Sequence, residues 1–127
     1  PEALIHGDRL FIAYSASACW TDHYCLGLLT AKPGGELMDA ATWSKSPEPV
    51  LTGNSEAKAF APGHNSFFKS PDGTEDWILY HANPGAGQGC GKFRSPRAQP
   101  FHWRDDGSPD FGTPVALGTP LKAPSGE

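Results

Sequence analysis

This sequence predicts an all-β chain built from two copies of one four-stranded unit, and three observations carry that expectation. Glycine (15 residues) and proline (13) are abundant, and both punctuate turns while disfavouring helix interiors. No long segment spaces its apolar residues for a helix, and the one short candidate turn, Glu36–Ala41, reads equally well as a loop. The third observation is a repeated order of features along the chain.

The first copy opens on Pro1 and the short apolar run "EALIH", turns at Gly7-Asp8, and continues into the aromatic-rich run "RLFIAYSAS". A cysteine-bearing loop follows, then the strand-like "LGLLTA", then Trp43 ahead of a fourth short run ending "PEPVL". The second copy opens on Pro62-Gly63 and "HNSFF", turns at Asp72-Gly73, and continues into "DWILYHANP". Its loop carries Cys90, its third run lies in "RSPRAQPFHW", and Phe111 precedes "GTPVAL". Gly-Asp and Asp-Gly between apolar runs are hairpin signals. The copies stand about 60 residues apart, close to the longer propeller-type repeats.

Repeated units of four antiparallel strands are the blades of a β-propeller. Propellers close with about four to eight blades, so two blades are expected to be the C-terminal portion of a larger disc. Residues 1–55 form the penultimate blade in this reading and residues 56–127 the last, with neither a closed domain alone. A beginning on Pro-Glu-Ala fits that expectation. A two-sheet sandwich accounts for eight strands but not for the repeated order.

The formal net charge of −4 argues against a nucleic-acid partner, which needs a clustered positive field. No apolar run reaches membrane-spanning length. Cys19 and Cys25 flank "WTDHY" between two strand-like runs. A hairpin there predicts a Cys19–Cys25 disulfide and an oxidising compartment, the alternative being two buried thiols. Cys90 is then left without a partner.

With strands lettered A to D from the axis outward, the start of strand A and the B–C loop share one face of the disc. His64 opens strand A of the second unit after a Pro-Gly corner. Ser15, Ser17, Trp20, Asp22, His23 and Tyr24 lie on or beside the first B–C connection, while His81, Asn83, Arg94 and Arg97 flank the second. Polar and aromatic groups therefore converge where propellers make their pockets. Ser15, His81 and Asp22 make a hydrolase triad only on paper, because the chain has no Gly-x-Ser-x-Gly elbow. Cys and His spacing shows no zinc pattern.

"PEALIHGDRLFIAYSAS", "APGHNSFFKSPDGTEDWILYHANP" and "RSPRAQPFHWRDDGSPDFGTPV" resemble the last two blades of family 43 glycoside hydrolases, in particular the α-L-arabinofuranosidase branch. The resemblance covers nearly the whole chain. It implies a secreted five-bladed propeller that hydrolyses arabinan or arabinoxylan side chains with inversion. A β-xylosidase of the same family, or a carbohydrate-binding propeller without catalysis, are its alternatives. Inversion uses a basic carboxylate and an acidic one about 6.5–9.5 Å apart. By resemblance, all the catalytic carboxylates lie upstream, with the general acid two residues before Pro1, so this chain alone is expected to be inactive. Glu2, directly after the motif's proline, is the lesser candidate for the acid.

The same resemblance implies that His64 contacts a calcium or sodium ion near the axis. A hydrogen-bonded channel histidine is the alternative, since calcium prefers oxygen ligands. Arg94 and Arg97 are candidates to support the acid or bind sugar hydroxyls. Three residues apart in a strand, they face opposite ways, and Arg97 is favoured. Trp20 and Tyr24 are candidate stacking platforms at the pocket rim. Phe11, Phe67, Phe68, Trp77 and Trp103 read as packing between blades, with Trp43 on an outer strand.

Overall fold

The computed structural model describes residues 1–127. Two antiparallel sheets follow one another along the chain, each a simple meander. The first contains β1 (Glu2–His6), β2 (Arg9–Ala16), β3 (Cys25–Ala31) and β4 (Trp43–Lys45), in that order across the sheet. The second contains β5 (Phe60–Lys69), β6 (Asp76–Asn83), β7 (Ser95–Trp103) and β8 (Pro109–Asp110), again in chain order. The same order twice gives two blades of the β-propeller type.

Turn chemistry sets both inner hairpins. His6 pairs with Arg9 across a two-residue turn, and Gly7 there has φ of 60°, a conformation that costs an L side chain strain. Gly73, with φ of 74°, sits in the longer loop between β5 and β6, which Lys69 and Asp76 close as a pair. The second strands begin at Arg9 and Asp76, 67 residues apart, and the third strands at Cys25 and Ser95, 70 apart. The repeat is thus longer than the expected spacing, and the β6–β7 loop holds three extra residues. The short turn expected at Glu36–Ala41 forms as a 3-10 turn at Ala40–Thr42, capped by the Asp39 carboxylate accepting from Ala41 N at 2.9 Å.

One hydrophobic core joins the two sheets. Phe11, Ala13, Leu26 and Leu28 of the first pack with Ile78, Tyr80, Ala82 and Phe101 of the second, with Leu51, Ala57, Ala59 and Phe111 from connecting segments. In β2, alternation sends Phe11 and Ala13 into this core. In β6 both faces are largely covered, as its run of apolar residues requires. The connection after β4 runs back along β3 through Leu26 N–Leu51 O (3.0 Å) and Val50 N–Leu26 O (2.8 Å). β5 packs chiefly against β2 and β3 of the first sheet, and to a lesser extent against β1.

Candidate functional site

Where β5 meets the first sheet, a cavity of about 430 Å³ opens between the blades, lined by Pro1, Tyr14, Ser15, Tyr24, His64 and Asn65. Each wall has a sequence cause. Tyr14 pairs with Gly27 across β2 and β3, and its ring covers that glycine: a Cβ on Gly27 would fall 2.6 Å from the tyrosine oxygen. Tyr24 lies in the same way against Gly63, where a Cβ would stand 2.8 Å from both Cδ1 and Cζ. Two glycines without side chains therefore let two aromatic rings lie flat on the backbone and face the cavity.

His64 reaches the cavity by a different route from the one expected. It does not open a strand after a corner; it is the fifth residue of β5, and Pro62-Gly63 lie within the strand. Register slips between Phe60 and Gly63 and again between Gly63 and Ser66, and Ala61 and His64 take left-handed φ values of 52° and 57°. Two bulges thus bend β5 and re-aim its side chains at the junction. The first sheet holds this strained backbone, because His64 N donates to Ser15 Oγ at 2.8 Å. Asn65, 9% exposed, lines the cavity with a buried Nδ2 that has no hydrogen-bond partner. An amide donor left unpaired in such a place is suited to a ligand's oxygen.

His81 on β6 stands beside His64, ring centroids 5.3 Å apart. Burial first, then the charges of His64 and Arg94, push its pKa below the ordinary histidine value, which favours neutral imidazole. Arg94 joins three elements at once. Nη1 donates to Ala61 O and Nη2 to His81 O, each at 2.8 Å, while the guanidinium lies 5.2 Å from the centre of the Tyr24 ring. Arg97, the arginine favoured from sequence, is buried in β7 and spends Nη1 on Val115 O (2.8 Å) and Nη2 on Lys58 O (2.7 Å). It ties loops together, and Arg94 is the one that reaches a cavity wall. Glu2 lines a separate groove with Ile5, Phe67 and Lys69, outside the cavity.

The loops above the cavity are bound across the blades. Cys19 is bonded to Cys90, not to Cys25, with Cα atoms 5.2 Å apart. The expected pairing fails because Cys25 is the first residue of β3, buried in the sheet with its thiol directed at Ala16 O. Cys19 sits on the preceding turn, next to the corresponding loop of the neighbouring blade. Asp22 adds a second tie, its carboxylate accepting from Gly87 N at 2.9 and 3.0 Å. Sequence reasoning missed Tyr14 as a cavity wall; its place opposite a glycine in the adjacent strand was the available signal.

Near His64 this chain offers an imidazole, the Ser15 hydroxyl and the Asn65 amide. No three His, Cys, Asp or Glu side chains gather anywhere in the chain. Calcium takes about six to eight oxygen ligands, so an axial ion would draw most of its ligands from water or from beyond these residues.

The sequence profile of glycosyl hydrolases family 43 matches residues 1–109. The chain belongs to that family. It is 42% identical over 128 residues to α-L-arabinofuranosidase 43 of Humicola insolens, and 41% identical to an extracellular exo-α-(1→5)-L-arabinofuranosidase of Streptomyces avermitilis. Each alignment covers 96% of this chain and 26% of the relative, so the family 43 chain spans about a quarter of these proteins. The crystal structure of an α-L-arabinofuranosidase from Lactobacillus brevis superposes with a TM-score of 0.83 at 40% identity, covering 91% of this chain and 37% of that one. No helix here is long and apolar enough to cross a membrane.

Proposed function

We propose that this family 43 chain is the C-terminal two-blade part of a secreted, inverting α-L-arabinofuranosidase that trims arabinan or arabinoxylan. The observation that carries the reading is the inter-blade cavity walled by two tyrosines and an unpaired buried amide, in a chain whose relatives are named for that activity. Tyr14 and Tyr24 offer ring faces to the C–H surface of a sugar. Asn65 lies in the same wall, and His81, beside His64 with its pKa held below the ordinary histidine value, limits positive charge there.

None of the cavity walls is a carboxylate. Inversion needs two, one protonating the leaving oxygen and the other activating water. In this reading both belong to the portion of the enzyme outside the matched region, and these blades bind and orient the sugar. Arg94 supports that task by fixing Tyr24. An axial calcium or sodium ion, on the same reading, takes at most an imidazole from this chain and its oxygen ligands from elsewhere.

The test compares the 127-residue chain with the full-length gene product on an aryl α-L-arabinofuranoside, following product anomers by NMR. The expected result is turnover with inverted configuration by the full-length protein and none by the chain alone. Turnover by the isolated chain, retention of configuration, or cleavage of only an aryl β-xyloside would overturn the proposal.

A further inference from the structure

The loop between β6 and β7 has little stiffness of its own. Gly85, Gly87, Gly89 and Gly91 make four of the seven residues from 85 to 91, and glycine loses more conformational freedom on ordering than any other residue. Within its own blade the loop is held by Asn83 Nδ2, which donates to Gly89 O at 2.6 Å, and by Gly85 N, which donates to Gln88 Oε1 at 3.0 Å. Its end must nevertheless place Arg94 accurately. That guanidinium bonds Ala61 O and His81 O and faces the ring of Tyr24, a wall of the cavity.

The stronger restraint comes from the other blade. Cys90 is bonded to Cys19, and Gly87 N donates to both oxygens of Asp22 at 2.9 and 3.0 Å. The loop on that side is the stiffer of the two, because the amide and the hydroxyl of Thr21 both donate to Ala18 O at 2.9 Å. The two loops end alike: Tyr24 N donates to Thr21 O and Arg94 N to Gly91 O, each at 3.3 Å, just before β3 and β7. Cys19 stands five residues before Tyr24 and Cys90 four before Arg94. The disulfide therefore fixes the spacing of the two loops close to the point where their ends meet. Cys90 is exposed and Cys19 half-buried, which leaves the bond open to a reductant.

We propose that Cys19 and Cys90 are positioning residues for the cavity: their bond, with the Asp22–Gly87 contact, holds Tyr24 and Arg94 in the arrangement that receives the sugar, and substrate affinity depends on that bond being oxidised. Neither cysteine lines the cavity, so the effect passes through the Tyr24 wall. With the bond open, the glycine-rich loop samples many arrangements and only a fraction of molecules holds the wall in place. Apparent affinity falls by that fraction. A bound sugar selects the ordered wall, so the reacting complex is the same in both forms and kcat changes little. Reduction by a dithiol passes two electrons and two protons to the disulfide; the S–S bond breaks, two thiols form, and the reagent closes to its own disulfide. The inference rests on the glycosidase reading above and adds to it a redox dependence of KM.

The experiment uses the full-length protein and measures kcat and KM on an aryl α-L-arabinofuranoside before and after reduction by dithiothreitol, at a temperature where circular dichroism shows the reduced protein folded. Reduction is expected to raise KM about fivefold while kcat stays within about twofold, and reoxidation to restore the original KM. Cys19→Ser combined with Cys90→Ser is expected to show the raised KM without reductant and no response to it. Asp22→Ala, which keeps the bond, should raise KM about twofold. A KM unmoved by reduction and by the double substitution, with the wild type active, would overturn the positioning role and leave the glycosidase reading standing. A fall in kcat that tracks the folded fraction, with KM constant, would do the same, as would a response to reductant that persists in the double variant. A wild type that does not cleave the arabinofuranoside would overturn both.

Discussion

Gly63 offers the sharpest test of how the cavity is built. A methyl group there would stand 2.8 Å from Cδ1 and Cζ of Tyr24 and closer still to Cε1, so the ring must leave its place. Overpacking of this kind costs about 1–3 kcal/mol. Displacing the ring also forfeits the Arg94 contact at 5.2 Å, about 0.5–1 kcal/mol at a partly exposed site. Against these stands the reduced freedom of the unfolded chain on Gly→Ala, about 0.4–1 kcal/mol of stabilisation. The net expectation for Gly63→Ala is about 2 kcal/mol of destabilisation, taking the middle of each range. In a Tyr24→Ala background the clash has no partner, and the same substitution is expected to cost about 0 kcal/mol or to stabilise slightly. Urea unfolding of the wild type, the two single variants and the double variant measures this coupling, provided m is unchanged across the four. Equal cost of Gly63→Ala with and without the Tyr24 ring would refute the packing argument.

Two further outcomes follow from the same structure. In denaturant without reductant, thiol titration should find one free cysteine of the three, Cys25, and reduction of Cys19–Cys90, 71 residues apart, should destabilise the fold by up to about 4 kcal/mol; three free thiols would refute the bond. His81 has a folded pKa below its unfolded value, so its contribution is fully present above the unfolded pKa and is lost as pH falls through the folded one. Unfolding midpoints should therefore drop on acidification below about pH 6.5, and His81→Gln should flatten that part of the profile, a difference that thermal melts across pH would reveal.

Much of the fold was legible because its signals are local. Gly7-Asp8 and Asp72-Gly73 between apolar runs announce hairpins, and a meander needs little else to order its strands. Arg94 stands just before β7 and Arg97 within it, so parity along the strand does not relate their contacts. Parity does not say which side of β7 faces the shared core, and that side belongs to Arg97. The His64 route was not legible, since left-handed backbone at Ala61 and His64 leaves no mark in residues that ordinarily avoid it.

The sequence by itself determined the two-blade meander, the family and the face on which the polar and aromatic residues gather, because turn residues and strand alternation act over a few positions. Only the tertiary structure decided which cysteine meets Cys19, which arginine reaches Tyr24, and how β5 bends to bring His64 to the cavity. Those choices depend on contacts between blades, where residues some 70 positions apart become neighbours. No periodicity along the chain encodes the distance across that junction.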